Sequence, residues 1–132
     1  MLPSHPRIAR LGWLGEQEKF DAFAAADVVV VPSRYESLSI VALEAWRLGK
    51  PVLVNAGCDV LRGQCLRSGG GLWYDGYAEF RESLRMLLDH ADLRARLGAA
   101  GRAFVDREYA WAAVEAKYRE LAERAFVHST SP

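Results

Sequence analysis

The stretch "ADVVVVPSRYESLSIVALEAWRLGKPVLV", residues 26–54, contains two short β-branched runs on either side of a segment rich in alanine and leucine. Neither run, residues 28–32 or residues 51–55, alternates with polar residues, which is typical of strands covered on both faces in a parallel sheet. The segment between them has good helix formers and ends at Gly49, where a C-terminal cap is expected. The stretch therefore predicts a strand, a helix and a second parallel strand.

The same alternation continues on both sides of this stretch. Residues 7–14 (RIARLGWL) are compatible with a strand and precede a helical pattern over residues 15–27, and residues 71–75 (GLWYD) predict a further strand. Residues 56–70 predict a short helix with a loop at each end. Buried strands that alternate with helices indicate an α/β fold. We expect a partial Rossmann-like parallel sheet of about four strands flanked by helices.

Three further helices are predicted in the C-terminal half, and their apolar residues repeat at helical spacing, which usually indicates a face packed on the core. The three stripes are Tyr77, Phe80, Leu84, Leu87 and Leu88; Leu93, Leu97, Ala100 and Phe104; and Trp111, Val114, Tyr118, Leu121 and Ala125. We expect one domain over residues 1–127 and a disordered tail over residues 128–132.

Composition excludes several functional classes. The 17 lysines and arginines balance the 17 aspartates and glutamates, so there is no basic field that would attract nucleic acid. Two cysteines, Cys58 and Cys65, fit no zinc pattern, and free thiols suit a reducing cytoplasm, although a disulfide stays open. No run is long enough for a membrane span, and no signal peptide is visible. The sequence thus predicts a cytoplasmic protein without a metal site.

Two glutamates stand near the start of the helix predicted after residues 28–32. Glu36 lies in the preceding loop and Glu44 on the second turn. In parallel sheets, ligands bind beyond the carboxyl ends of the strands, which is where this loop lies. A helix that begins near Leu38 would present free N–H groups to a phosphate or sugar, and a carboxylate can accept two hydrogen bonds from a vicinal diol such as ribose. The alternative is that both carboxylates face water, Glu36 gaining about 0.3–1 kcal/mol from the helix dipole.

Residues 26–54 resemble the donor-binding segment of the group 1 (family 4, GT-B) nucleotide-sugar-dependent glycosyltransferases. In that family a strand ending in Pro-Ser is followed by a glutamate, seven residues and a second glutamate, and here Pro32 and Ser33 precede Glu36 and Glu44. The resemblance extends to "IARLGWL", "GGGLWY" and "DLRARLGAAGRAFVDREYAW". It covers the later part of the second (C-terminal) of the family's two domains.

The resemblance implies a donor-binding part of a retaining glycosyltransferase, with a nucleotide sugar as substrate and with no metal or cofactor. Glu36 would be the catalytic residue that contacts the donor sugar, and Glu44 would hold the ribose. Backbone amides around the helix start would meet the sugar and phosphates. The donor-binding residues would be Ser37, Leu38, Ser39, Ile40 and Glu44.

This sequence departs from the family at the helix start. The family usually has glycine, an aromatic residue and glycine after the first glutamate, whereas this chain has Ser37, Leu38 and Ser39, so hydroxyl groups could contact phosphate. In the family, base contacts come partly from the loop matched by Trp13 and Leu14. Those two residues are candidates for base contacts, or else core residues at a strand end.

The resemblance does not reach the acceptor-binding domain or the loop that supplies arginine and lysine to the donor diphosphate. Arg34 and Lys50 do not stand at the matching places. Because the charge of the leaving group must be neutralised during transfer, we expect this chain alone not to transfer sugar. A second function stays open, that of a non-catalytic module that binds a nucleotide or nucleotide sugar, or that only pairs with another chain.

The family's strand order has a consequence for the sheet edge. In the order 3-2-1-4-5-6, the strand of residues 7–14 would be the third and that of residues 28–32 the fourth, with two unmatched strands between them. An open strand edge is a template for pairing. Either residues 7–14 pair directly with residues 28–32, or the edge binds a second copy or a chain that supplies the missing domain.

Overall fold

A computed structural model describes residues 5–129 of the chain, with side chains described as far as Phe126. The described residues form three strands and six helices, which alternate as far as the fourth helix and end with two further helices. The strands are β1 (Val29–Val31), β2 (Val52–Asn55) and β3 (Gly71–Tyr74). The helices are α1 (Glu16–Ala25), α2 (Ile40–Arg47), α3 (Asp59–Ser68), α4 (Tyr77–Asp89), α5 (Ala91–Glu108) and α6 (Trp111–Ser129).

The strands form a parallel sheet in the order β1-β2-β3, with Val30 opposite Leu53 and Leu53 opposite Leu72. Val52, Leu53 and Val54 of the central strand are fully buried, because helices cover both faces of the sheet there. The predicted α/β fold, the continuous apolar strands and the helices between them are therefore confirmed.

The strand expected over residues 7–14 is absent, so the sheet has three strands instead of about four. These residues are neither paired with β1 nor packed on the core, and Ile8, Leu11 and Trp13 are exposed. Gly12 adopts a φ of +66°, which breaks the extended conformation in the middle of the stretch. A strand is stable only with a hydrogen-bonded neighbour. Within residues 5–129, the outer edge of β1 has no such neighbour.

Trp46 joins α2 to the sheet and to α5. Its side chain is fully buried, and its indole Nε1 donates a hydrogen bond of 2.8 Å to the carbonyl oxygen of Gly70, just before β3. Phe104 of α5 packs edge-on against the indole, with ring centroids 5.9 Å apart. Gly101 lies directly against the ring, where a Cβ would overlap it. The small residues of α5 thus allow α2 and α5 to approach closely.

The C-terminal helices pack unequally. Leu87 of α4 and Phe104 of α5 are buried as expected, but four of the five residues of the α6 stripe are exposed, namely Trp111, Tyr118, Leu121 and Ala125. The expectation that this stripe faces the core is wrong for them, because no described element covers that face and the main contact of α6 is with α5. Residues 128 and 129, expected in the tail, belong to α6, and residues 1–4 and 130–132 lie outside the described residues.

We predict that Gly98→Ala lowers the free energy of unfolding by about 1–3 kcal/mol, because the new Cβ would overlap the backbone carbonyl of Gly49. Gly63→Ala is the matched control in another helix. Its nearest neighbour is the flexible end of Arg67, 3.1 Å away, so the better helix propensity of alanine should stabilise the protein by about 0.5–1 kcal/mol. Urea denaturation of both variants measures the difference, and equal effects would contradict the close contact of α5 with Gly49.

Burial of Cys65 makes stability depend on pH in the alkaline range. Desolvation raises the pKa of this thiol from 9.0 to about 12. Below pH 9 the folded and unfolded states both keep the proton; above it only the unfolded state loses the proton. The free energy of unfolding should therefore fall by about 1.4 kcal/mol per pH unit above pH 9 through this group. Urea denaturation from pH 8 to 10.5 should show this decrease in wild type relative to Cys65→Ala, and parallel curves would contradict it.

Candidate functional site

The loops after β1 and β2 form a cleft at the carboxyl edge of the sheet, where the sequence places the ligand site. Asn55 connects the two strand ends, since its Nδ2 donates to the carbonyl oxygen of Pro32 (3.2 Å) and its Oδ1 accepts from the N–H of Gly57 (2.9 Å). The cleft has a volume of about 470 Å³. It is lined by Arg34, Tyr35, Glu36, Ser37, Gly57, Cys58, Asp59 and Val60.

Glu36 and Arg34 line this cleft together. Glu36 is partly buried and Arg34 is exposed, and neither side chain forms a hydrogen bond or ion pair with any described residue. Asp59, which also lines the cleft, likewise has no such bond, so among the described residues the cleft offers two carboxylates and one guanidinium without a protein partner. Such groups can bind sugar hydroxyls and phosphate oxygens respectively. The sequence places Arg34 in the loop at this edge, but the family resemblance does not assign it to the diphosphate, because its position along the chain differs from that of the family's basic residues.

The start of α2 follows the loop that lines this cleft. The helix begins at Ile40, two residues later than expected, and Ser39 is its N-cap. The carbonyl oxygen of Ser39 accepts hydrogen bonds from Ala42 and Leu43, but its buried hydroxyl has no partner among the described residues. The first N–H groups of a helix lack partners within the helix and can bind an anion. Of the expected donor-binding residues, Ser37 lines the cleft, whereas Leu38, Ser39 and Ile40 do not.

Glu44 is on the second turn of α2, as the spacing predicts, but its carboxylate is already paired. Its Oε1 accepts a hydrogen bond of 2.7 Å from Nζ of Lys19 in α1. The Glu44 side chain is 20% exposed and that of Lys19 is 37% exposed, so the pair is half-buried. The structure therefore separates the two glutamates, with Glu36 in the cleft and Glu44 facing α1.

Sequence reasoning missed Lys19. The only signal was that it is the one basic residue in the acidic helical segment of residues 15–27. That segment predicts a helix before β1, but helical spacing does not specify which residue of a distant helix its lysine meets. The contact joins positions 25 apart in the sequence, so it depends on how α1 and α2 pack.

Trp13, a candidate for base contacts, is fully exposed, whereas Leu14 is partly buried. The alternative that Trp13 is a core residue is therefore wrong. Its indole is available to contact a ligand or another polypeptide.

A second groove, of about 520 Å³, lies beside the cleft at the ends of the three strands. It shares Arg34 with the cleft and includes Val30, Asn55, Tyr74 and Tyr77 among its lining residues. The described residues contain no group of three or more histidine, cysteine, aspartate or glutamate side chains able to hold a metal ion. None of the described helices has the length and apolarity needed to cross a membrane.

Comparison with known proteins gives a consistent match. A family model described as "Glycosyl transferases group 1" matches residues 7–104. A GDP-mannose-dependent monoacylated alpha-(1-6)-phosphatidylinositol monomannoside mannosyltransferase of Corynebacterium glutamicum is 37% identical over 110 residues, which are 76% of this chain and 28% of that protein. A D-inositol 3-phosphate glycosyltransferase of Thermobispora bispora is 36% identical over 121 residues, which are 89% of this chain and 28% of that protein.

A solved structure has a similar fold. Sucrose-phosphate synthase from Thermosynechococcus elongatus superposes with a TM-score of 0.78 at 26% identity, over 92% of this chain and 31% of that one. The chain spans a little over a quarter of the length of the two curated relatives named above.

Proposed function

The chain belongs to the group 1 glycosyl transferase family, and we propose that it is the nucleotide-sugar-binding part of a retaining glycosyltransferase. The observation that carries the proposal is the cleft at the carboxyl edge of the sheet, where the carboxylate of Glu36 and the guanidinium of Arg34 have no partner among the described residues. Glu36 would contact the donor sugar and act in catalysis. Arg34 would face the diphosphate, whose charge must be neutralised as it leaves.

The other donor contacts would come from α2 and the residues just before it. Its first N–H groups suit the sugar and phosphates. Glu44 would accept hydrogen bonds from the ribose hydroxyls, with Ser37, Leu38 and Ile40 contributing through the backbone. Hydrogen bonds to a charged group contribute about 1.5–3 kcal/mol each.

The names of the relatives suggest which nucleotide sugars should be tested first. One relative is named as dependent on GDP-mannose, and others are named as acting on D-inositol 3-phosphate. GDP-mannose is therefore the first donor to test, followed by UDP sugars. We further propose that transfer to an acceptor requires the remainder of such an enzyme and does not occur with these 132 residues alone.

The unpaired edge of β1 supports a second candidate function, that of a module that pairs with another polypeptide strand. Val30 on this strand is 37% exposed, and the strand's outer hydrogen-bonding groups meet no described neighbour. The added strand would come from a second copy or from a chain that carries the rest of the fold. Sedimentation velocity should show self-association if the partner is a second copy, whereas a monomer at all concentrations would exclude the homodimer.

Titration calorimetry tests the donor site directly. We predict that wild type binds GDP, UDP or their sugars and that Glu44→Ala weakens binding at least tenfold, because a charged hydrogen-bond acceptor for the ribose is lost. Glu123→Ala, which removes an exposed glutamate of α6, is the matched control and should bind like wild type. Absence of binding by wild type to all of these ligands would contradict the proposed site.

A further inference from the structure

We propose that Lys19 is a positioning residue of the donor site. Its ammonium group holds the carboxylate of Glu44 in the orientation that receives the ribose diol. This inference rests on the proposed function, because it concerns the same site. The residue is on α1, outside the segment from Ser33 to Trp46 that defines the family motif, and its contact with Glu44 depends on the packing of the two helices.

Lys19 bonds only one of the two oxygen atoms of the Glu44 carboxylate. Lys19 Nζ donates to Oε1 of Glu44 at 2.7 Å, whereas Oε2 accepts no hydrogen bond from the described part of the chain. A carboxylate has about four lone-pair positions. The ammonium uses one of them, so Glu44 can still accept both hydroxyl groups of a vicinal diol while the ion pair stays intact.

The ammonium is itself held in place. It lies 5.0 Å from the centroid of the Phe20 ring, within the range of a cation–π contact, and the lysine side chain is only 37% exposed. A glutamate on a helix surface would otherwise lose rotamer freedom when it binds a ligand, and ordering a long side chain beforehand improves affinity. Lys19 supplies that ordering in the free protein.

This pair differs from the ordinary surface pairs of the molecule. Arg85–Asp89, Arg119–Glu115 and Arg124–Glu120 each join positions four apart on one helix, and their side chains are 56–74% exposed. Such pairs contribute little to stability. Lys19–Glu44 instead joins two helices, is shorter and less exposed than most of them, and engages the residue that the family motif assigns to the donor.

The test compares ribonucleotides with analogues that lack the diol. GDP and UDP are titrated beside their 2′,3′-dideoxy forms into wild type, Lys19→Met and Lys19→Arg. We expect Lys19→Met to weaken ribonucleotide binding about tenfold, comparable to the loss of one charged hydrogen bond. It should leave dideoxynucleotide binding within twofold of wild type, and Lys19→Arg should restore most of the loss.

Lys117→Met is the matched control. Lys117 also forms a 2.7 Å bond to a glutamate of another helix, Glu108, but this pair lies on α5 and α6, away from the donor cleft. The Lys117→Met variant should bind every nucleotide like wild type. Thermal unfolding of all variants checks that each is folded. If Lys19→Met does not fold, the test rests on Lys19→Arg, which should keep the wild-type preference for the diol.

Each other outcome overturns a defined part of the account. If Lys19→Met keeps the wild-type preference for the diol while Glu44→Ala loses it, the role of Lys19 is wrong and the donor site stands. If Lys19→Met weakens ribonucleotides and dideoxynucleotides equally, Lys19 acts on the phosphates or the fold and the positioning role is wrong. If wild type binds no nucleotide, or binds both forms equally, the assignment of Glu44 to the ribose fails and this inference fails with it.

Discussion

The buried indole of Trp46 fixes the position of the helix on which the proposed site depends. It donates a hydrogen bond to the carbonyl oxygen of Gly70 and packs against Gly101 and the edge of Phe104, so that α2, the start of β3 and α5 share one contact. An indole N–H buried without a partner would cost free energy, and a larger side chain at Gly101 would displace the ring. The orientation of α2 is therefore tightly constrained.

That orientation decides where Glu44 points. Ala42, Ala45 and Trp46, three and four residues apart, form the buried stripe of α2. Glu44 lies off this stripe and its side chain reaches Lys19 of α1. The same helix begins just after the loop that places Glu36 in the cleft. The packing of α2 therefore determines the positions of both glutamates of the proposed donor site.

The elements that the sequence predicts well are those whose signals are local. The runs at residues 28–32 and 51–55 are apolar throughout, and they form the parallel strands β1 and β2. Gly49 ends α2 with a φ of +68°, a conformation that favours glycine. The family motif likewise predicts that Glu36 and Glu44 stand on either side of the start of α2.

The features that the sequence does not predict depend on distant partners. Residues 7–14 have the composition of a strand but pair with no described neighbour, and the stripe of α6 has helical spacing without a described surface to cover it. The contact of Lys19 with Glu44 arises from the way two helices pack against each other. Hydrophobic periodicity in the sequence predicts which face of a helix or strand is buried. It does not predict which other element packs against that face, because this depends on the tertiary fold.

The most direct measurement is a nuclear magnetic resonance titration of the ¹⁵N-labelled chain with GDP and UDP. We expect the amide resonances of Glu36, residues 37–40 and Glu44 to shift in a saturable way, together with the amide of Lys19, while those of α6 stay unchanged. Shifts confined to the groove of Val30 and Tyr77, or no shifts with either nucleotide, would contradict the claim that the start of α2 is a nucleotide-binding site.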